Sequence, residues 1–137
     1  MSKLFVIFLI IIGLASCRFY KKINHYKGEV VYGNACGIAG IEPKYRAEAI
    51  ELIQLRDTST LNSWLESDDL VINLYAAEAL LNLENGGIQI NKVQRDHIDK
   101  LKRNRTFISV CSGCSVYNER VKDIFEKKTK LNFKTSN

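Results

Sequence analysis

The chain is short of the residues that assemble the commonest catalytic and metal sites. It has two histidines, His25 and His97, and a single proline, Pro43. Of its four cysteines only Cys111 and Cys114 stand at a Cys-x-x-Cys spacing. A zinc ribbon needs a second such pair, so that class lacks its ligands. Gly33, Gly37 and Gly40 crowd one segment, but no lysine followed by Ser or Thr comes directly after them, which excludes a phosphate-binding loop there. Two carboxylate pairs exist in number only. Asp68-Asp69 stand where a helix begins, and Glu48 and Glu51 share a solvated face. The longest apolar run, Leu4 to Ile12, falls well short of the roughly 20 residues of a membrane-spanning helix.

What is there begins at the first residues. Lys3 precedes that apolar run, and Leu14-Ala15-Ser16-Cys17 follows it. A basic residue, a short apolar stretch and small residues are the layout of a secretory signal. The four closing residues resemble a bacterial lipobox at every position. The resemblance implies that residues 1–16 are removed and that Cys17 becomes a lipidated first residue, anchoring the protein in the bacterial cell envelope. Whether the inner or the outer membrane receives it is not encoded here. Arg18, Lys21, Lys22 and Lys27 follow, placing cations where an anionic leaflet attracts them by about 1 kcal/mol each. Residues 17–39 read as a lipidated tether and turn-rich segment, with a short extended piece at Glu29–Tyr32.

The chain has 137 residues, enough after the signal for one domain with a modest core. Its net charge of +5 and pI near 9.0 raise the question of nucleic acid. The excess, however, sits in the tether and in Lys127, Lys128, Lys130 and Lys134, while the middle is near neutral. No nucleic-acid partner and no cofactor are expected.

From Pro43 the apolar spacing turns helical, with Tyr45, Ala49, Leu52 and Ile53 on one face. Asp57-Thr-Ser-Thr offers caps for a short helix carrying Leu61, Trp64 and Leu65. Ser67-Asp68-Asp69 opens the next, whose stripe is Ile72, Ala76, Ala79, Leu80 and Leu83, and Asn85-Gly86-Gly87 stops it. Asn91 and Gln94 form a capping box for a fourth helix using Val93, His97 and Leu101. Thr106–Val110 is β-branched and aromatic and reads as extended. Ser115 is expected to cap a last helix with Tyr117, Val121, Ile124, Phe125 and Lys128 on its face. Residues 130–137 read as a polar tail.

The pattern Leu61-x-x-Trp64-Leu65-x-Ser67-Asp68-Asp69-x-x-Ile72-x-x-x-Ala76-x-x-Ala79-Leu80-x-x-Leu83 resembles one HEAT-type helical repeat. In that family an aspartate caps the second helix and small alanines let the paired helix approach. A basic residue often follows the Val/Ile; here that position is Asn73. The layout around it, Ile38-Ala-Gly-Ile-Glu-Pro43 upstream and a late Gly113-Cys114, is similar to uncharacterised lipoproteins of Bacteroidetes-type bacteria. The expected fold is therefore all-α: a short HEAT-like hairpin array over residues 40–129 with a closing helix. Two helical pairs are fewer than a repeat array needs, so a covalent staple is expected.

With Cys17 lipidated, three cysteines remain: Cys36, Cys111 and Cys114. In an oxidising compartment a disulfide is the default. It is either local, Cys111 to Cys114, or long, from Cys36 to one of the two, and the long bridge suits a small helical domain better. Strand, Cys-x-x-Cys, helix is also the local arrangement of a thioredoxin-like redox site, but such a fold needs further strands and a cis-proline facing it. A zinc set of Cys36, Cys111, Cys114 and His97 has suitable ligand types without suitable spacing. The expectation is a non-enzymatic envelope module that binds membrane lipid through Cys17 and a protein partner through its surface. The alternative is a thiol–disulfide protein using Cys111-Ser-Gly-Cys114.

Overall fold

The computed structural model describes residues 31–37 and 39–128. The residues expected to form the signal, Cys17, the basic residues from Arg18 to Lys27 and the expected polar tail lie outside them. The order is β1 (Tyr32–Cys36), α1 (Lys44–Leu55), α2 (Thr58–Leu65), α3 (Leu70–Asn85), α4 (Lys92–Arg103), β2 (Phe107–Gly113), β3 (Ser115–Arg120) and α5 (Val121–Lys128). Among the described residues, five helices and a three-stranded mixed sheet make this a mixed α/β fold, and the all-α expectation is corrected.

The sheet order is β1-β2-β3. β1 runs parallel to β2, with Tyr32 beside Val110 and Gly33 beside Cys111. A parallel pair cannot be closed by a tight turn and needs a long crossover; here α1 to α4 supply it. β2 and β3 form an antiparallel hairpin from Phe107↔Arg120 to Ser112↔Ser115. Gly113 and Cys114 are its two-residue loop. Gly113 has φ +55, and Cys114 does not enter the left-handed region, the combination a type II′ turn requires.

That hairpin is the reason the last expected helix starts late. Ser115 and Tyr117 lie on β3, with Tyr117 exposed, and only Val121, Ile124 and Phe125 of the expected face are buried on α5. β1 is the second departure, since it occupies residues expected to be tether and turn.

The helices follow their caps. The Asp57 carboxylate accepts from Thr60 N–H at the start of α2, and the Asp69 carboxylate from Val71 N–H at the start of α3. Asn91 and Gln94 make the reciprocal capping box of α4. α3 is the hub. It packs against α1 and α2, and it buries residues all round: Val71, Leu74 and Tyr75 as well as Ala76, Ala79, Leu80 and Leu83. Ile72, expected in its core stripe, is only half-buried. On α4 the buried residues are Gln94, Ile98 and Leu101; Val93 is exposed and His97 half-buried, so the apolar face lies one position round from the expected one.

Asn73 is buried on α3, and its side-chain amide donates to the carbonyls of Trp64 (2.8 Å), Leu65 (3.2 Å) and Ser67 (2.8 Å). The last carbonyls of a helix have no intrahelical donor. Asn73 satisfies those of α2 and ties the two helices together.

Candidate functional site

The sulfurs of Cys36 and Cys111 are bonded to each other across 75 residues of sequence, with their Cα atoms 5.6 Å apart, inside the usual range for a disulfide. Cys36 is half-buried and Cys111 is 2 % exposed. The long bridge is thus the one formed, between the end of β1 and the middle of β2. Around it the backbone is closely knit. Gly37 N–H donates to the Gly113 carbonyl at 2.7 Å, and Cys36 and Ile41 exchange both backbone hydrogen bonds at 2.8 Å.

Cys114 lies outside the bridge, half-buried in the hairpin loop. The residue opposite Cys111 across the ladder is Val116. Drawing Cys114 onto Cys111 would therefore require the hairpin to slip its register. The helix expected directly after the Cys-x-x-Cys segment does not start there, because β3 follows it. The four residues considered for zinc are not assembled as ligands: two of the sulfurs are bonded to each other, and His97 is on α4. Among the described residues no group of three His, Cys, Asp or Glu side chains is arranged to hold a metal ion.

Beside the bridge, β1 is held by polar contacts that the sequence pattern did not single out. The Tyr75 hydroxyl accepts from Gly33 N–H at 2.8 Å and donates to the Gly33 carbonyl at 2.9 Å. One side chain on α3 thereby satisfies both backbone groups of a strand residue at the sheet edge. The Tyr32 hydroxyl donates to the buried Glu78 carboxylate, also on α3. The two rings lie 4.8 Å apart, tilted by 37°. Burial, and then the Glu78 charge, push the Tyr32 phenol well above its ordinary pKa. Burial likewise raises Tyr75. Both stay neutral hydrogen-bonding groups throughout the physiological range. The available signal was a tyrosine and a glutamate at one helical turn, Tyr75 and Glu78, inside an otherwise apolar, alanine-rich helix.

A groove of about 280 Å³ opens along this end of the sheet. Tyr32, Val110, Tyr117 and Ile124 supply its apolar lining, and Glu119 and Lys127 form an ion pair with each other beside it. The hydrogen bond to Glu119 raises the Lys127 pKa, so its ammonium is fully charged at neutral pH. The bridged Cys111 offers no thiolate, and both charges engage each other. Comparison with protein-family models, curated proteins and solved structures found no match.

Proposed function

We propose that this chain is a lipoprotein of the bacterial cell envelope, held at the membrane by acyl chains on Cys17, and that it acts as a non-catalytic protein-interaction or structural module. On this reading its partner is another envelope protein, and the α2–α3 pair is a single HEAT-like hairpin built into a mixed domain. The observation that carries the scaffold reading is the Cys36–Cys111 bridge, which joins the first strand to the second across the whole helical crossover. A disulfide in that place is a clamp, and it persists in an oxidising compartment, which suits an exported protein. The hairpin register, with Val116 opposite Cys111, weighs against exchange within Cys111-Ser-Gly-Cys114.

Two measurements test the reading. Fatty-acid labelling in a bacterial host is expected to mark the wild-type chain and not Cys17→Ala, whose precursor should accumulate uncleaved. Labelling that persists in the variant removes the anchor. Mass mapping of the bridges after incubation with glutathione is expected to return Cys36–Cys111 intact. Ready exchange, with Cys111 recovered bridged to Cys114 and Cys36 released as a thiol, would replace the scaffold by thiol–disulfide chemistry.

A further inference from the structure

The cations of the folded domain are not spread evenly. Residues 100–107 carry four and no carboxylate, and residues 120–122 carry two more and none. The fold brings these two stretches together. Lys122 N–H donates to the Asn104 carbonyl at 2.9 Å, Val121 N–H donates to the Thr106 carbonyl at 3.1 Å, and Phe107 pairs with Arg120 across the ladder. Lys102 pairs with Asp99 and Lys122 with Asp123. Among the described residues no carboxylate pairs with Arg103, Arg105 or Arg120, and all three are exposed. Phe107, two residues after Arg105, is 57 % exposed, with the Arg120 guanidinium 5.2 Å from its ring centre. Like charges gathered on one surface repel one another unless something anionic faces them. Arginines around an exposed aromatic ring combine attraction to headgroups with a side chain suited to the membrane interface.

Topology gives the patch a direction. Because β1 is parallel to β2 and Tyr32 stands beside Val110, β1 begins three residues along β2 from Phe107 and runs the same way. Val31, the residue before β1, therefore lies on the Phe107 side of Val110. Thirteen residues lie between Cys17 and Val31, fourteen Cα–Cα steps with a reach of at most about 50 Å even when fully extended. A domain so tethered meets the leaflet at high effective concentration, and a weak surface contact then suffices to hold it.

We infer that Arg103, Arg105, Phe107 and Arg120 form a second membrane contact, docking the domain by this end of its sheet onto an anionic phospholipid surface. The inference rests on the anchored reading above for its tether, and on the patch alone for its chemistry. On this account the opposite end of the sheet, with the Gly113–Cys114 loop, faces away from the bilayer.

The test uses the full chain mixed with vesicles of phosphatidylcholine, alone or with phosphatidylglycerol, containing brominated lipid as a short-range quencher. The chain has one tryptophan, Trp64 on α2, so the extra quenching in Phe107→Trp reports on position 107. Quenching at 107 is expected to be at least about threefold stronger with the anionic lipid and to vanish in high salt, where screening is effective within a few ångströms. Each arginine near an anionic surface contributes about a fivefold gain, so adding Arg103→Gln, Arg105→Gln and Arg120→Gln should weaken the contact roughly a hundredfold. A chain that floats with both vesicle types but shows equal quenching at 107 overturns the inference and leaves the anchor standing. One that floats only with anionic vesicles, and loses this in the triple variant, supports the inference and removes the anchor. One that floats with neither overturns both.

Discussion

Gly33 shows how one residue's size fixes a strand. It is buried beside Cys111, and a Cβ built on it would come within 2.3 Å of the Cys111 carbonyl oxygen, closer than any side chain tolerates. Gly33→Ala must push β1 off β2 or break the Tyr75 contacts. A loss of about 1–3 kcal/mol, the scale of overpacking, is expected in urea unfolding; a change near zero would mean that β1 pairs more loosely than described. Tyr75→Phe tests the other side of the same junction. It leaves the ring in place but strips both Gly33 backbone groups of their partner, and a buried donor or acceptor left unmet costs about 1–3 kcal/mol. The tyrosines also set a pH dependence. Their native pKa values lie above the ordinary value of 10.0, so above about pH 10 the folded chain holds more protons than the unfolded one. The stability they contribute is complete below pH 10 and is lost as pH rises towards the raised values. A double Tyr32→Phe/Tyr75→Phe variant should show a flatter decline on the alkaline side, measured as the urea midpoint against pH. Asp57 acts at the opposite end of the scale. Hydrogen bonds to its carboxylate from the Thr60 hydroxyl, and then from Thr60 N–H, lower its pKa below 3.8, so its contribution to capping α2 is present above that value and fades as pH falls below it.

At the scale of elements, helices announced by local chemistry were legible and strands made by distant partners were not. Asp57, Asp69 and the Asn91–Gln94 box each act within four residues, and each sits where the sequence puts it. β1 is Tyr-Gly-Asn-Ala-Cys, which has little strand propensity of its own. It is a strand because Tyr75, 42 residues away, and Cys111, 75 residues away, hold it there. β3 misled for a related reason. Tyr117, Val121, Ile124 and Phe125 recur at helical spacing, but Gly113 permits a turn straight back onto β2, and the ladder gained there outweighs a longer helix. The candidate site divides along the same line. Cys36 and Cys111 stood among the open pairings, whereas the Tyr32–Glu78 and Tyr75–Gly33 contacts carry no motif. α4 supplies a clean check of the corrected face. Ile98 is fully buried and Val93 is 58 % exposed. Ile98→Ala should cost about 2–5 kcal/mol, as cavity-forming changes do, and Val93→Ala less than about 0.5 kcal/mol. Leu80→Ala on α3 belongs with the former, and equal effects at positions 93 and 98 would return the face to the one first expected.

For the whole molecule the disulfide decides how a small parallel-edged domain stays closed. β1 meets the rest of the sheet along one edge only, and its pairing with β2 closes a loop that contains α1 to α4. Without a cross-link that loop must be closed from the unfolded chain at its full entropic cost. With Cys36 and Cys111 joined, the unfolded chain is already constrained over 75 residues, worth about 4 kcal/mol in the chain-entropy model. That is a large share of the roughly 5–15 kcal/mol typical of whole domains. A Cys36→Ala/Cys111→Ala variant should therefore unfold at clearly lower urea, with the loss approaching that figure. The loss should not be uniform. α2 and α3 retain the Asn73 amide and their own packed faces, whereas β1 depends on its ladder, the Cys36–Ile41 exchange and the two tyrosine contacts at the edge of the sheet. Amide exchange should accordingly rise first at Tyr32 to Cys36 and at the facing residues Val110 to Gly113, while protection in the middle of α3 follows global stability. A variant whose urea midpoint matches the wild type, with β1 still protected, would show that the tyrosine contacts alone close the sheet and that the bridge is redundant to the fold.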